Sequence, residues 1–268
     1  MKAMILAAGL GTRLRPLTDD RPKALVEVGG RPLLDITLSR LRVFGVREVI
    51  INVHHFADMV VDYLKMNDNF GMRIEISRED LLLDTGGALK KAAWFFLEDS
   101  SRLDEPFILH NVDAISTIDL ELMVQFHVEH QALATLAVQE RETSRYLLFD
   151  EKLRLCGRRT ASEQAHGAPL GGWTGEAPVP TQAHPLRALA FSGIHVISPR
   201  IFSMMTEEGV FSIIASYLRL AAQGENILAL GADKYYWRDL GRPENVAQAE
   251  RDLKNKIFSR GGDRVRDR

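Results

Sequence analysis

Hydrophobic positions along the chain follow two alternating rhythms. "KAMILAA" (2–8) is a continuous apolar run, the pattern of a parallel strand covered on both faces. After Pro32, Leu34, Leu38 and Leu41 recur at i, i+4 and i+7, which predicts a helix with Gly45 as its C-cap. "VREVIINV" (46–53) reads as a second strand and 56–65 as a second amphipathic helix. "MRIEIS" (72–77) is a third strand, followed by a helix from about Gly87 to Leu97. "PFILHNVD" (106–113) is a fourth strand, followed by a helix over 119–130. Strands alternating with helices through short links predict an α/β fold built on a doubly wound, mostly parallel, Rossmann-like sheet.

From Ala132 the rhythm changes. "ALATLAVQER" and "RYLLFDEKLRLCGRR" read as successive strands, the second as a hairpin. These later strands either extend the first sheet or form a small appended β region. Residues 158–185 are rich in Gly, Pro, Ala and polar residues without a usable period, which predicts a long flexible loop, either mobile or a lid. "LRALAFSGIHVIS" returns to strand, "FSIIASYLRLAAQG" is a helix with a glycine stop, and "YYWRDLGRPENVAQAERDL" runs from strand through a turn into a last helix. One domain is expected over 1–250, with 251–268 the end of the last helix and a charged tail.

Composition narrows the function classes. Thirty-six acidic residues against thirty-four basic ones leave a net charge of −2, with no broad field for nucleic acid or an anionic membrane. The single cysteine, Cys156, cannot form an internal disulfide or a Cys-based metal site; it fits a reducing cytosol and reads as an inert strand residue. No apolar run approaches the roughly 20 residues of a spanning helix. "MKAMILAAGL" faintly imitates a signal peptide but flows into "GTRLRP", so it reads as a buried first strand. A cytoplasmic protein is expected.

The turn after the first strand carries the first chemical signal. Small residues there let backbone N–H groups approach a phosphate or a flat base. The Walker pattern is absent, and Leu14 stands where the third glycine of a dinucleotide fingerprint belongs after Gly9 and Gly11. Arg13 and Lys23 flank a loop containing Pro and Asp that could fold both over one anionic ligand, Arg as a fork and Lys as a compact charge.

"MILAAGLGTRLRPLT…PKALVEVGGRPLL" resembles the N-terminal signature of the sugar-1-phosphate nucleotidyltransferases, LxxGxGxRLxPLTxxxPKxLxxVxxxP(M/L), over residues 1–34. The resemblance implies an enzyme of the nucleotidyltransferase class. In that family an oxygen of a sugar 1-phosphate attacks the α-phosphorus of an NTP in line, giving an NDP-sugar and pyrophosphate. By resemblance, Leu6, Ala7, Ala8, Gly9, Gly11 and Thr12 hold the nucleotide, with Asn111 beyond them. Arg13 then reaches the triphosphate, and Lys23 sits beside the phosphates at the reacting centre.

Two acids at strand ends match the family's metal-binding positions: Asp113 in "ILHNVD" and Asp239 in "YWRDLG". Carboxylates past strand ends lie where open α/β sheets bind ligands, and Mg²⁺ on one or two carboxylates supplies positioning and charge neutralisation for phosphoryl transfer. Val112 departs from the glycine the family commonly carries between Asn and Asp. "LLDTGGALKKA" (82–92) resembles the family's nucleoside-contacting segment, with Gly86 and Gly87 offering free N–H groups at a helix start. "FSGIHVISP" (191–199) resembles its sugar-side strand, which makes Ser192 and Gly193 candidates for the sugar phosphate.

Other conspicuous residues take plainer readings. His54 and His55 have no third ligand at metal spacing and read as packing or loop residues. Trp94, Phe95 and Phe96 read as core, and Trp173 either folds over a substrate or anchors its loop. Length and the "LDTGGAL" and "FSGI" segments resemble the compact branch of the family, which includes uridylyl- and guanylyltransferases for N-acetylmuramate, mannose and heptose 1-phosphates. The partners implied are an NTP and a sugar 1-phosphate, without nucleic acid or membrane. A non-catalytic nucleotide- or sugar-phosphate-binding regulator is the rival reading, with Val112 as its sign. A dinucleotide oxidoreductase is a distant third.

Overall fold

The computed structural model describes residues 1–99, 101, 103–160 and 186–255. Its strands are β1 (Lys2–Leu6), β2 (Glu27–Val28), β3 (Arg31–Pro32), β4 (Glu48–Val53), β5 (Arg73–Arg78), β6 (Phe107–Asn111), β7 (Ala114–Ser116), β8 (Ala134–Gln139), β9 (Arg145–Phe149), β10 (Leu155–Thr160), β11 (Arg187–Ile197), β12 (Ile227–Gly231) and β13 (Trp237–Asp239). The α-helices are α1 (Leu33–Val43), α2 (Ala57–Met66), α3 (Asp84–Lys91), α4 (Ala93–Leu97), α5 (Leu120–Glu129), α6 (Ile213–Ala222) and α7 (Pro243–Lys254).

Among the described residues, nine strands form one sheet in the order β10-β9-β11-β6-β1-β4-β5, with β8 on β11 and β12 on β8. β6, β1, β4 and β5 are mutually parallel, while β11 turns the sheet antiparallel by pairing with β6, β8 and β9. The fold is α/β and Rossmann-like, and the later strands extend the first sheet. β7 and β13 stand apart as a two-stranded antiparallel ribbon.

The unbroken apolar runs follow from burial on both faces. Ala3 and Ile5 of β1, Val49 and Ile51 of β4 and Ile108 of β6 pack with α1, α2, α5 and α7. Met4, Ile50 and Leu109 face the other way, into a cluster with α3, α4 and α6. Side chains alternate across a strand, so each central strand feeds two cores. Helix starts carry their own signals: Asp119 accepts from Leu122 N at 3.0 Å before α5, and Ser212 accepts from Ile214 N at 3.3 Å before α6. Pro243 opens α7, where its missing N–H has no partner to lose.

Several expectations need correction. The single helix over 87–97 is two helices meeting at Ala92, and α3 starts three residues earlier, at Asp84. Phe95 and Phe96 are buried as expected, but Trp94 is 50% exposed and lies outside the core. The fourth strand stops at Asn111, and the chain re-enters strand at Ala114 in the ribbon. β10 runs through Thr160, into the stretch read as loop; the remainder of that stretch, Trp173 and the charged tail lie outside the described residues. β12 was not anticipated. No helix among the described residues is long and apolar enough to cross a membrane.

Three histidines are buried in the sheet region. Burial, with Arg40 nearby, pushes His110 down to about 3. Burial, with His110 beside it, pushes His195 down to about 3. Burial, with a smaller contribution from Arg200, pushes His127 down to about 4. His195 contacts the Tyr217 hydroxyl at 2.9 Å, and His127 contacts the hydroxyls of Thr135 at 3.1 Å and Ser198 at 2.9 Å. A base whose folded value is depressed stabilises the native state above its unfolded value and loses that contribution as pH falls. Unfolding should therefore become easier from about pH 6.5 down to about pH 5, a window above most carboxylate titration, by roughly 1.4 kcal/mol per unit for each histidine. Thermal melts across that window check this, and His127→Gln should flatten the slope. A melting temperature independent of pH there would contradict it.

Candidate active site

The sheet changes direction around β1. The chain moves from β1 to β4 and β5 on one side, then returns through α3 and α4 to β6 on the other. The crevice beyond the C-terminal ends of β1 and β6 is the topological switch point, where open α/β sheets bind their ligands. The candidate residues of the opening loop and the "HNVD" strand end gather there.

β1 ends at Leu6, and Ala7 and Ala8 remain buried while Gly9 is open. Gly11 has φ 65°, and a Cβ there would lie 2.9 Å from Thr18 Cγ2 and 3.3 Å from Lys23 Cβ. Glycine is thus required both by the left-handed backbone and by the close approach. Thr18 Oγ1 donates to Gly11 O at 2.8 Å, and Leu14 is fully buried, so the loop is folded back on itself and pinned to the core. Thr12 and Arg13 stay exposed on its short 3₁₀ turn. Lys23 starts a second 3₁₀ turn after Pro22, with Ala24 buried beneath it.

Lys23 Nζ donates directly to Asp113 Oδ2, a pair whose side chains are only 12% and 15% exposed. Asp239 lies opposite Ala114 in the β7–β13 ribbon, and Leu240 N donates to Asp113 O at 2.8 Å. The ribbon therefore brings together two acids that are far apart in sequence. Gly241 N donates to Asp239 Oδ1 at 2.6 Å. A Cβ on Gly241 would lie 2.6 Å from that oxygen and 3.0 Å from Arg13 Nη2, so Arg13 and Asp239 border the same small space. Arg13, Lys23, Asp113 and Asp239 form one constellation.

Asn111 and Gly193 also meet. Gly193 has φ 73°, and a Cβ on it would stand 2.9 Å from Asn111 Nδ2. Ser192 is fully buried, and its carbonyl accepts from Trp237 Nε1 at 2.7 Å. Val112 is buried with Ile115 and Leu240, so its side chain occupies core rather than the crevice.

Gly86 and Gly87 differ from expectation. Their N–H groups are not free: both donate to Phe211 O, at 2.9 and 3.2 Å. A Cβ on Gly86 would meet the Phe211 ring at 2.4 Å, and one on Gly87 would meet Gly209 O at 2.3 Å. Close packing of the 209–213 segment against α3 accounts for both glycines. His54 Nδ1 contacts Glu79 O at 2.7 Å, and the His55 ring lies 3.9 Å from that of Phe56, consistent with packing.

Sequence reasoning missed a supporting relay. Ala7 N donates to Asn52 Oδ1 at 2.8 Å, Asn52 Nδ2 to Glu79 Oε1 at 2.7 Å, and Leu83 N to Glu79 Oε2 at 3.0 Å. Asn52 and Glu79 are 3% and 5% exposed. A polar residue interrupting the apolar run "VIINV" was the available signal. Arg141 and Trp237 were also missed, because nothing local marks them.

The family described as "Nucleotidyl transferase" matches residues 2–149. The chain is 34% identical over 256 residues to the N-acetylmuramate alpha-1-phosphate uridylyltransferase of Caulobacter vibrioides, covering 92% of this chain and 95% of that protein. It is 28% identical over 247 residues to the mannose-1-phosphate guanyltransferase of Yarrowia lipolytica, covering 91% of this chain but 62% of that longer protein. Among solved structures, HddC from Yersinia pseudotuberculosis complexed with GMP-PN superposes with a TM-score of 0.70 at 22% identity, covering 94% of this chain and 99% of that one. A UDP-glucose pyrophosphorylase complexed with UDP-glucose superposes with a TM-score of 0.74 at 19% identity, covering 95% and 98%. With a matching fold and a family match over more than half its length, the chain belongs to the nucleotidyl transferase family.

Proposed function

We propose that the constellation of Arg13, Lys23, Asp113 and Asp239 joins an NTP to a sugar 1-phosphate. A phosphate oxygen of the sugar 1-phosphate forms a bond to the α-phosphorus. The bond from that phosphorus to the oxygen bridging to the β-phosphate breaks, and pyrophosphate leaves with the electron pair. The convergence of two cations and two carboxylates at the switch point is the observation that carries this reading. Phosphoryl transfer asks the protein mainly for positioning and charge stabilisation, and these side chains offer both.

Asp113 and Asp239 suit Mg²⁺. The donors are hard carboxylate oxygens, and one or two carboxylates with substrate phosphates are the usual Mg²⁺ environment. Gly241 N holds Asp239 Oδ1, which orients the carboxylate. When bound, Mg²⁺ supplies neutralisation of phosphate charge. Lys23, held on Asp113, presents its ammonium beside the reacting phosphates. Arg13, at the tip of the nucleotide loop, faces the pyrophosphate end of the NTP. The Ala7–Thr12 turn and Asn111 hold the nucleotide, and Ser192 and Gly193, the latter packed against Asn111, lie on the sugar side. Gly86 and Gly87 support the nucleoside side through packing.

This reading places the enzyme in the cytoplasm, where NTPs are available, and assigns it to nucleotide-sugar supply for a cell-envelope polysaccharide. The relatives' names include both uridylyl and guanylyl transfer. Pyrophosphate release from four NTPs against a panel of sugar 1-phosphates, including N-acetylmuramate and mannose 1-phosphates, identifies the pair; no release from any combination would overturn the reading.

Asp113→Asn and Asp239→Asn should each lower kcat by about 10²–10³-fold at saturating Mg²⁺ with the far-UV spectrum unchanged, since electrostatic stabilisation of this kind is worth several kcal/mol. Near-normal turnover in both variants would remove these acids from the centre. Lys23→Ala should lower kcat strongly with little change in KM for NTP, because a charge facing the reacting phosphorus acts mainly in the transition state. Arg13→Ala should put a larger share of its loss in KM for NTP. Steady-state kinetics separate the two, and wild-type kcat in Lys23→Ala would sink the assignment of the opening loop.

A further inference from the structure

Arg141 follows β8 and takes no part in the constellation above. Its guanidinium carbon lies 3.7 Å from the Trp237 ring centroid, within stacking distance. Its Nη2 donates to Phe191 O at 2.7 Å, while Trp237 Nε1 donates to the next carbonyl, Ser192 O, at 2.7 Å.

These contacts fall where the sheet slips. Phe191 pairs with Val138 and His195 with Leu136, so four steps along β11 run against two along β8, with Gly193 at φ 73° inside the slip. Arg141 and Trp237 seat themselves on the irregular segment that also carries Gly193 against Asn111.

Capping that segment explains only one of the five N–H donors on the guanidinium. Nε is buried without a partner, and among the described residues Nη1 has no hydrogen bond and no carboxylate pairs with the side chain. Burial depresses the Arg141 pKa, while the charges of Asp239 and Tyr146 oppose that shift. Trp237 and Asp239 are two residues apart on β13, hence on one face of the ribbon. A half-buried guanidinium with no carboxylate partner among the described residues is unfavourable unless an anion completes it.

Its position along the sheet indicates which anion. The opening loop leaves β1 and Asp113 follows β6, whereas Arg141 stands on the far side, against β8 and β11. We infer that Arg141, stacked on Trp237 and anchored to Phe191 O, binds the phosphate of the acceptor sugar 1-phosphate. The inference rests on the reading of the reaction proposed above. Trp237 acts as its positioning residue, holding the guanidinium against the ribbon that also carries Asp239.

The test compares wild type, Arg141→Gln and Arg141→Lys. With the active substrate pair, Arg141→Gln should raise KM for the sugar 1-phosphate by about 10–100-fold while KM for NTP stays within about twofold. Arg141→Lys keeps the charge and loses the fork, so it should recover part of the loss. Unchanged KM for the sugar phosphate in Arg141→Gln, whether or not its melting temperature drops, would reduce Arg141 to a cap of the strand slip. Should Arg141→Gln fail to fold, Arg141→Lys decides: a several-fold rise confined to the sugar phosphate supports the inference, and wild-type constants overturn it. Calorimetric titration of mannose 1-phosphate and N-acetylmuramate 1-phosphate into wild type and Arg141→Lys gives a readout independent of turnover. Weaker binding by the variant supports the inference; equal affinity, or binding to neither protein, overturns it. Failure of the proposed reaction shows separately, as absence of pyrophosphate release by wild type across the whole substrate matrix.

Discussion

Covering the central sheet on both faces leaves its strands no room for charge, and that constraint sorts the molecule. β1, β4 and β6 each send alternate side chains into two separate cores. A charged group placed mid-strand would have to be desolvated at a cost of several kcal/mol. The chemistry is therefore displaced to strand ends. Lys2 illustrates the limit: it sits at the N-terminal edge of β1, 6% exposed, with its ammonium on Phe95 O at 2.5 Å and Glu98 at 2.9 Å. At the opposite end, the reversal of chain direction beside β1 opens a crevice, and the loops that follow β1 and β6 supply its charged residues.

Two small devices turn this crevice into a site. The β7–β13 ribbon brings Asp239 next to Asp113 through three residue pairs, Trp237 with Ser116, Arg238 with Ile115 and Asp239 with Ala114. Buried Arg40 steadies the ribbon by donating to Ser116 Oγ at 2.6 Å and to Ile118 O. On the other side, the Asn52–Glu79 relay fixes Ala7 N and Leu83 N, so the ends of β1, β4 and β5 are tied to the approach to α3. A buried carboxylate and amide are tolerated there because each is hydrogen-bonded; removing either leaves its partners unsatisfied.

Much of this was legible in the sequence for physical reasons. A run such as "KAMILAA" has few folded uses other than a doubly covered strand, and the opening motif needs its glycines and charges in fixed order. What escaped depended on partners distant in the chain. Gly86 and Gly87 looked like open amides at a helix start, yet Phe211 and Gly209, more than a hundred residues later, fill that space. Trp94 shares the apolar character of Phe95 and Phe96, but the turn at Ala92 rotates it outward. β12 was hidden because "ILALG" directly follows a helix and its glycine stop, and only its parallel pairing with β8 defines it. Arg141 is one basic residue among many until the strand slip seats it on Trp237.

The Lys23–Asp113 pair then raises the question of why so buried an ion pair is kept. Such pairs are weak evidence for stability, because desolvation offsets most of the attraction. Its value is better placed in preorganisation. Both side chains stay under a fifth exposed and are already oriented, so on the proposed reading the site needs little rearrangement as phosphate charge shifts. On the inference above, Arg141 joins Arg13 and Lys23 against Asp113 and Asp239, leaving an excess of one positive charge among these five. On the reading proposed above, that small excess attracts phosphate-bearing substrates, and a divalent cation on the two carboxylates would add to it. Such charge raises the rate only so far as it meets the phosphate charge more strongly in the transition state than in the ground state.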